Sequence, residues 1–161
     1  MKKTIIAIIA IMAMISCNRS NPFFSEWDTP YGIPPFEQIQ ERDYLPAVKE
    51  GIARQQAEIQ AIIDNPEAPD FENVIAAMDR SGALLGKVIG VLFNVSESDS
   101  NDNLNKIVET AMPLISEHSS SINMNAALFA KVKAVYEADQ SGLSREQQML
   151  LKDTYDSFVE N

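Results

Sequence analysis

The stretch NLNKIVETAMPLISEHS, residues 103 to 119, carries the clearest structural signal in this chain of 161 residues. Its apolar side chains recur at the spacing of a single helix face: Leu104, Ile107, Val108, Ala111, Met112 and Ile115. Apolar residues three and four positions apart line one side of an α-helix and leave the other side polar. The pattern therefore predicts an amphipathic helix over about 103 to 119, with a kink or an early end at Pro113.

The same periodicity continues on both sides of this stretch. Before it, the spacing predicts a helix over about Glu41 to Asp64 and a second one, capped by Asp70, that runs to about Val95. After it, the pattern predicts a short helix capped by Asn125 and a fifth helix opened by the capping box of Ser144 and Gln147. No segment alternates for long enough to predict a strand, so we expect an all-α domain over residues 36 to 161.

Three glycines stand four residues apart within the second predicted helix: Gly82, Gly86 and Gly90. Each glycine in a helix interior costs about 1 kcal/mol relative to alanine, so a compensating interaction is expected. Small residues allow a second helix to approach closely, and we favour this interpretation over a bend or hinge.

The segment before the helices, residues 17 to 35, is polar and rich in proline. Its prolines fix the backbone and remove hydrogen-bond donors, which favours an extended lead-in over a helix. Three aromatic residues punctuate this region, and we expect them to dock onto the helical body: Trp27, Tyr31 and Phe36.

The first sixteen residues have the layout of a secretory signal peptide. Lys2 and Lys3 are followed by an apolar run over residues 5 to 15, and the small residue Ser16 comes next. The run is shorter than the roughly 20 apolar residues that cross a bilayer core. We therefore expect residues 1 to 16 to be a signal peptide that is removed on export.

The end of this signal carries a possible lipid-attachment site. Met14-Ile15-Ser16-Cys17 resembles a bacterial lipobox, in which the cysteine is acylated and becomes the new N-terminus. The resemblance predicts a lipid anchor at Cys17, the only cysteine in the chain, in the bacterial cell envelope, facing the periplasm or the cell surface. The alternative is that Cys17 is simply a small residue beside an ordinary cleavage site. Each acyl methylene buried in lipid contributes about 0.8 kcal/mol.

The charge of the chain limits its partners. The formal net charge is −10, and removal of Lys2 and Lys3 would make the mature chain still more acidic. Nucleic-acid binding draws most of its affinity from the neutralisation of phosphates by Lys and Arg. The composition therefore argues against a nucleic-acid partner, and also against electrostatic adhesion to anionic lipid.

Residues for catalysis or metal binding are scarce. His118 is the only histidine, whereas a zinc site of the H-E-x-x-H type needs two imidazoles one helical turn apart. We interpret residues 117 to 121 as a helix C-terminal cap and loop and not as a Ser/His pair. Asp99, Asn101 and Asp102 lack the loop glycine and closing glutamate of an EF-hand. The sequence predicts no catalytic residue, no metal ligand and no cofactor in this chain.

Several short stretches, in their order and spacing, resemble bacterial peptidyl-dipeptidases of the thimet oligopeptidase family of zinc metallopeptidases. They are Asn21-Pro22-Phe23-Phe24, Ile33-Pro34-Pro35-Phe36, Tyr44-Leu45-Pro46-Ala47, Phe71-Glu72-Asn73-Val74-Ile75, Asp79-Arg80-Ser81-Gly82-Ala83-Leu84-Leu85 and Asn125-Ala126-Ala127-Leu128-Phe129. The resemblance implies a large, two-lobed, all-helical enzyme whose deep channel admits short peptides and releases dipeptides. It also implies that zinc and the catalytic glutamate lie on an H-E-x-x-H helix far downstream of the region matched here.

The resemblance predicts that this chain is an N-terminal channel-wall segment, truncated at its C-terminus and inactive on its own. The apolar face of the fifth helix should then be partly uncovered: Leu151, Tyr155, Phe158 and Val159. The alternative is a free-standing helical lipoprotein that binds peptides or a partner protein without catalysis.

Overall fold

The computed structural model describes residues 19 to 160. No strand occurs among these residues, so the predicted all-α class is confirmed. Cys17 and the predicted cleavage site lie outside the described range. Five helices have eleven or more residues, and a one-turn helix, α2, stands before the second of them: α1 (Glu41–Asp64), α2 (Ala77–Arg80), α3 (Ala83–Ser98), α4 (Asp102–Asn123), α5 (Ala126–Tyr136) and α6 (Arg145–Val159).

Helix α1 has the bounds that its apolar periodicity predicts. At its start, the backbone N–H of Gln40 donates to the carboxylate of Asp43 at 2.8 Å. Pro46 is the sixth residue of the helix, so it removes the hydrogen bond that another residue would donate to the carbonyl of Arg42, and the buried Ala47 and Val48 beside it hold this turn against the core.

The prediction of one continuous helix from Asp70 to about Val95 is wrong. Asp70 does cap the segment, accepting from the backbone N–H of Asn73 at 2.7 Å, but a π-helix follows over Phe71–Ala76. This π-helix runs into α2, after which the chain turns and α3 begins. The turn depends on Gly82, whose φ of +71° lies in the left-handed region that glycine adopts without steric cost.

The close helix contact that the glycine stripe suggested occurs at a different glycine. Gly86 and Gly90 are exposed, and a Cβ placed on either would meet no atom within 4 Å among the described residues, so the packing interpretation is wrong for them. Gly51 of α1 makes the contact instead, since a Cβ there would lie 2.9 Å from the Cα of Leu85. Glycine at this position lets the α1 and α3 backbones approach each other.

Helix α4 is longer than its sequence pattern predicts. It is capped by the side chain of Asn101 and continues through Pro113 to Asn123. Ala111 and His118 are both buried, so packing on either side of Pro113 holds the helix together where the proline removes a hydrogen bond. The predicted cap and loop at residues 117 to 121 are therefore helical.

The two C-terminal helices begin where their caps predict. The side chain of Asn125 accepts from the N–H of Leu128 at 3.0 Å. Ser144 and Gln147 form a reciprocal capping box at the start of α6. The apolar face of α6 is partly uncovered, as predicted: Leu151 is fully buried, and Val159 is 58% exposed.

The helices enclose two hydrophobic cores that share α1. The N-terminal core packs the first half of α1 against α3 and α4, and its buried members are Phe23, Tyr44, Ala47, Val48, Leu85, Val88, Val91, Leu92, Leu104, Ile107 and Ala111. The C-terminal core packs the second half of α1 against the π-helix, α5 and α6, with Ile59, Ile62, Val74, Ile75, Leu128, Val132, Val135 and Leu151.

The lead-in contains two short 3₁₀ helices, Pro22–Phe24 and Pro30–Gly32, joined by extended backbone. Trp27 packs against the N-terminal core as predicted. The docking prediction is wrong for the other two aromatic residues, because Tyr31 is fully exposed and Phe36 is 52% exposed. Tyr31 also has a φ of +61°, which is rare for a bulky residue.

Candidate functional site

A seam of polar groups separates the two cores at the middle of α1. We call Gln55, Glu58, Ser81, Gly82 and His118 the polar seam. The His118 ring nitrogen Nε2 lies 2.9 Å from Oε1 of Gln55, and Nε2 of Gln55 lies 3.2 Å from the hydroxyl of Ser81. The N–H of Gly82 donates to the Glu58 carboxylate at 2.7 Å. The seam thus connects α4, α1 and the turn before α3.

The Ser81 hydroxyl determines which group donates and which accepts in the hydrogen bonds that link it to Gln55 and His118. The Ser81 hydroxyl donates to the carbonyl of Met78 at 2.7 Å, so it accepts from the amide nitrogen of Gln55. The Gln55 amide oxygen then faces His118, and the imidazole must donate from Nε2. In the neutral form of His118, this hydrogen bond selects the tautomer that carries its hydrogen on Nε2.

The environment of His118 suits a structural role. Its side chain is only 4% exposed, and the buried Nδ1 has no hydrogen-bond partner among the described residues. Burial lowers the pKa of His118 below its ordinary value, because the charged imidazolium is poorly solvated there. The neighbouring Ser121 hydroxyl donates to the backbone carbonyl of His118 at 2.6 Å and not to the ring. The arrangement therefore provides no nucleophile–base pair.

An open groove lies beside the seam, between α1 and the segment that contains the π-helix and α2. Its polar lining consists of Glu58, Asn65, Glu72, Asn73, Arg80 and Ser81. Glu58 is bonded to the turn, Asn73 completes the Asp70 cap, and Glu72 lies 3.7 Å from Arg80. These groups hold the local fold together, and the groove contains no acid–base pair.

The polar loop that superficially matched a calcium site is used for helix capping. The Asn101 side chain accepts from the N–H groups of Asn103 and Leu104, at 3.0 and 2.9 Å. Asn101 and Asn103 also donate to the Glu41 carboxylate at the start of α1, and these hydrogen bonds lower the pKa of Glu41. Within residues 19 to 160, no group of three or more His, Cys, Asp or Glu side chains is arranged to hold a metal ion.

The first described residues are fastened to the helical body. Arg19 lies 3.3 Å from the carboxylate of Asp43, and the Asn21 side chain donates to the Asp43 carbonyl at 2.7 Å. The ring of Phe23 is 1% exposed and lies 5.5 Å from that of Tyr44, centroid to centroid. We call residues 19 to 27 the N-terminal latch.

The latch continues to Trp27 and contacts α3. The indole N–H donates to the Pro22 carbonyl at 3.0 Å. Lys87 of α3 donates to the carbonyl of Ser25 at 2.8 Å, and its ammonium nitrogen lies 3.9 Å from the centroid of the Trp27 ring. Partial burial lowers the pKa of Lys87. The lead-in is therefore fixed at its beginning, although its later residues are exposed.

Sequence reasoning missed several residues that organise this region. Phe23, and not Tyr31 or Phe36, is the main anchor of the lead-in, and Asn21-Pro22 before it is a signal for a capped 3₁₀ turn. Gly51 lies on the apolar face of α1 between Val48 and Ile52, a position where a small residue indicates close packing. No periodicity marks Gln55 as the partner of His118, because the two residues are 63 positions apart.

Comparison with known proteins identifies longer relatives. No protein-family model matches the chain. The chain is 37% identical over 141 residues to a dipeptidyl carboxypeptidase of Salmonella typhimurium, covering 87% of this chain and 21% of that protein. It is 39% identical over 140 residues to a dipeptidyl carboxypeptidase of Escherichia coli, again covering 21% of the relative. An oligopeptidase A of Salmonella typhimurium is 21% identical over 111 residues.

The matches cover a large share of this chain and a small share of each relative. The two dipeptidyl carboxypeptidase matches cover 87% and 86% of this chain. The chain nevertheless spans only about a fifth of the length of the dipeptidyl carboxypeptidases that it matches.

Proposed function

Because this chain is a relative of bacterial dipeptidyl carboxypeptidases, as its sequence motifs predicted, we propose that it forms the N-terminal helical part of an exported, lipid-anchored enzyme that hydrolyses short peptides. The observation that carries this proposal is the identity of 37 to 39% over nearly the whole chain, set against coverage of 21% of each relative.

In this proposal the chain contributes structure and a wall for the peptide channel, while the reacting groups come from elsewhere in the enzyme. The polar seam supports this division, because its hydrogen-bonding groups connect helices to one another. Its one imidazole is buried and held by Gln55. A general base needs to reach the proton that it removes, which this histidine does not.

A zinc ion is the cofactor that the proposed reaction class implies. The residues described do not fit a zinc site, since a catalytic site needs three protein ligands and His118 has neither a second imidazole nor a carboxylate cluster beside it. We therefore assign zinc binding to a part of the enzyme outside residues 19 to 160. No catalytic step is assigned to the side chains described here.

The proposed location rests on the first seventeen residues. The charged start, the apolar run and Ser16-Cys17 support export and acylation at Cys17. Among the described residues, no helix combines the length and the apolar character needed to cross a bilayer. We propose that acyl chains on Cys17 attach the protein to the membrane. A fatty-acid analogue should label the wild-type chain and leave Cys17→Ser unlabelled.

The proposal that this chain belongs to a peptide-hydrolysing enzyme is tested with the DNA that follows its coding sequence. The DNA that follows the Asn161 codon is read, the complete product is expressed, and dipeptide release from short peptides is measured with and without a chelator. We expect a downstream H-E-x-x-H motif and chelator-sensitive release of dipeptides by the complete product, with none from residues 18 to 161 alone. A stop codon directly after Asn161, or dipeptide release by this chain alone, would contradict the proposal. The first result would favour a binding lipoprotein without catalysis.

A further inference from the structure

The distance between the proposed anchor and the helical body is very short. Only Asn18 separates Cys17 from Arg19, the first residue of the N-terminal latch. Consecutive residues span at most about 3.3 to 3.6 Å each, so Asn21 lies within roughly 14 Å of the Cα of Cys17. Bilayers measure about 40 to 45 Å with their headgroup layers and about 30 Å without them, which leaves a polar layer of several ångströms on each side. An acylated Cys17 therefore brings the latch to the headgroup layer.

The latch cannot act as a loose tether, because contacts along its whole length hold it to the body. Arg19 and Asn21 are bonded to Asp43, and Phe23 is inserted into the N-terminal core. Ser25 and Trp27 are held by Lys87 of α3. A body attached through such a segment has a restricted orientation relative to the membrane as well as a restricted distance.

The exposed side chains of the latch, and two cations that contact them, are of the types that favour a membrane interface. Phe24 is 42% exposed, and the guanidinium of Arg54 lies 5.8 Å from its ring centroid. Trp27 is partly exposed and carries Lys87 on its ring face. Tryptophan, with an apolar ring and a polar N–H, concentrates at headgroup level, and an exposed phenylalanine adds apolar surface there. Lys and Arg side chains reach phosphates from the same depth. We call Phe24, Trp27, Arg54 and Lys87 the aromatic–cation face.

The charges around this face argue for insertion of the rings and not for electrostatic adhesion. Arg54 is paired with Glu50 at 2.8 Å, Arg19 with Asp43, and Glu26 lies near enough to Lys87 to influence its pKa. The face is therefore close to neutral on a strongly acidic chain, so attraction to anionic lipid is weak.

We propose that the aromatic–cation face lies against the headgroup layer of the leaflet in which Cys17 is anchored. The latch then fixes the helical body directly on the bilayer. This inference rests on the proposed lipid anchor. It adds an interaction surface and an orientation that the anchor alone does not imply, because a lipid-modified cysteine followed by a free linker would leave the body at a distance.

Trp27 makes the inference testable, because it is the only tryptophan in the chain. The acylated full chain is reconstituted into phosphatidylcholine vesicles that contain a headgroup-nitroxide lipid, a short-range quencher of indole fluorescence. Vesicle flotation measures attachment, and the loss of Trp27 emission measures contact with the headgroups. The matched variant carries a Gly/Ser linker of about sixteen residues between Asn18 and Arg19, which moves the body away by an average of about 20 to 24 Å.

We expect both proteins to float with the vesicles, the wild type to lose most of its Trp27 emission, and the linker variant to retain it. Quenching of the wild type should be insensitive to salt. A wild type that floats without quenching would overturn the inference while leaving the anchor intact, and it would indicate that another part of the protein covers the face. Equal quenching in both proteins would overturn the role given to the latch, because contact with the headgroups would then not depend on the short connection to Cys17. A wild type that does not float would refute the anchor, and the inference would fail with it.

Discussion

The two cores of this chain are closed in different ways. The N-terminal core is covered by a segment outside the helices, because the latch inserts Phe23 between α1 and the helices that pack on it. The C-terminal core ends in half-buried aromatic rings: Phe129 lies 5.6 Å from Phe158, and Tyr136 stacks on Tyr155 at 4.0 Å. Two cores built on one helix thus differ in what lies at their edge: a buried ring from the lead-in in one core, and half-buried rings of the last helices in the other.

The difference between the edges of the two cores bears on where the rest of the proposed enzyme would pack. The lead-in covers part of the N-terminal core with the fully buried Phe23, whereas α6 leaves Met149 and Val159 exposed at the edge of the C-terminal core. Under the proposal, the remainder of the enzyme packs on the C-terminal side. The following changes separate the two cores experimentally.

The largest effect is expected from Phe23→Ala. Its ring is 1% exposed and touches the rings of both Trp27 and Tyr44, so truncation should lower the free energy of unfolding by about 3 to 5 kcal/mol. Denaturant unfolding of residues 18 to 161 measures this loss. Phe24→Ala is the matched control, because Phe24 is 42% exposed and should lose much less. Equal losses for the two variants would mean that the latch does not close the N-terminal core.

A somewhat smaller effect is expected in the other core from Leu151→Ala. Leu151 is the only fully buried residue that α6 contributes, and its truncation should cost about 2 to 4 kcal/mol because the half-open site can relax around the cavity. The control is Met149→Ala on the same helix, where the side chain is 55% exposed. If Leu151→Ala had no effect on unfolding, α6 would not be docked.

The contact between α1 and α3 is tested by Gly51→Ala. A methyl group at this position would approach the Leu85 backbone to 2.9 Å, so the helices must separate, and we expect a loss of about 1 to 3 kcal/mol. Gly86→Ala adds the same methyl group where nothing lies within 4 Å and should stabilise the chain by up to about 1 kcal/mol. Thermal melts of both variants compare the two sites. Destabilisation by Gly86→Ala would show that this face is covered in solution.

The smallest effect concerns the seam between the cores. Burial lowers the pKa of His118 in the folded chain, while the unfolded chain has the ordinary value of 6.5. The unfolded state then binds more protons near and below that pH, so stability present at neutral pH is lost as the pH falls below about 6.5. His118→Gln keeps a donor for Gln55 but does not titrate. The difference in unfolding free energy between wild type and variant should therefore depend on pH between 7 and 5; a constant difference would contradict the buried, neutral imidazole.

Sequence periodicity predicted the helices well because it records which side of each helix faces the core. The bounds of α1 and the caps at Asp70, Asn125 and Ser144 follow from local residue types alone. The break at Gly82 and the continuation of α4 through Pro113 were missed, because tertiary packing decides whether a helix bends, stops or continues at such residues. Longer-range partners such as Gln55 and His118 carry no local signal. For the functional site, the sequence motifs pointed correctly to the peptidase relatives.

The contrast between the two cores is tested most directly by residue-resolved amide hydrogen exchange on the chain from residue 18 to residue 161. We expect that the most slowly exchanging amides lie in the buried parts of α1 and α3. The amides of α6 beyond Ser144 should exchange much faster, because Leu151 is the one residue of this helix that is fully buried. Uniform slow exchange across all five long helices, in a monomer with a single sharp unfolding transition, would contradict the account and identify a self-sufficient domain.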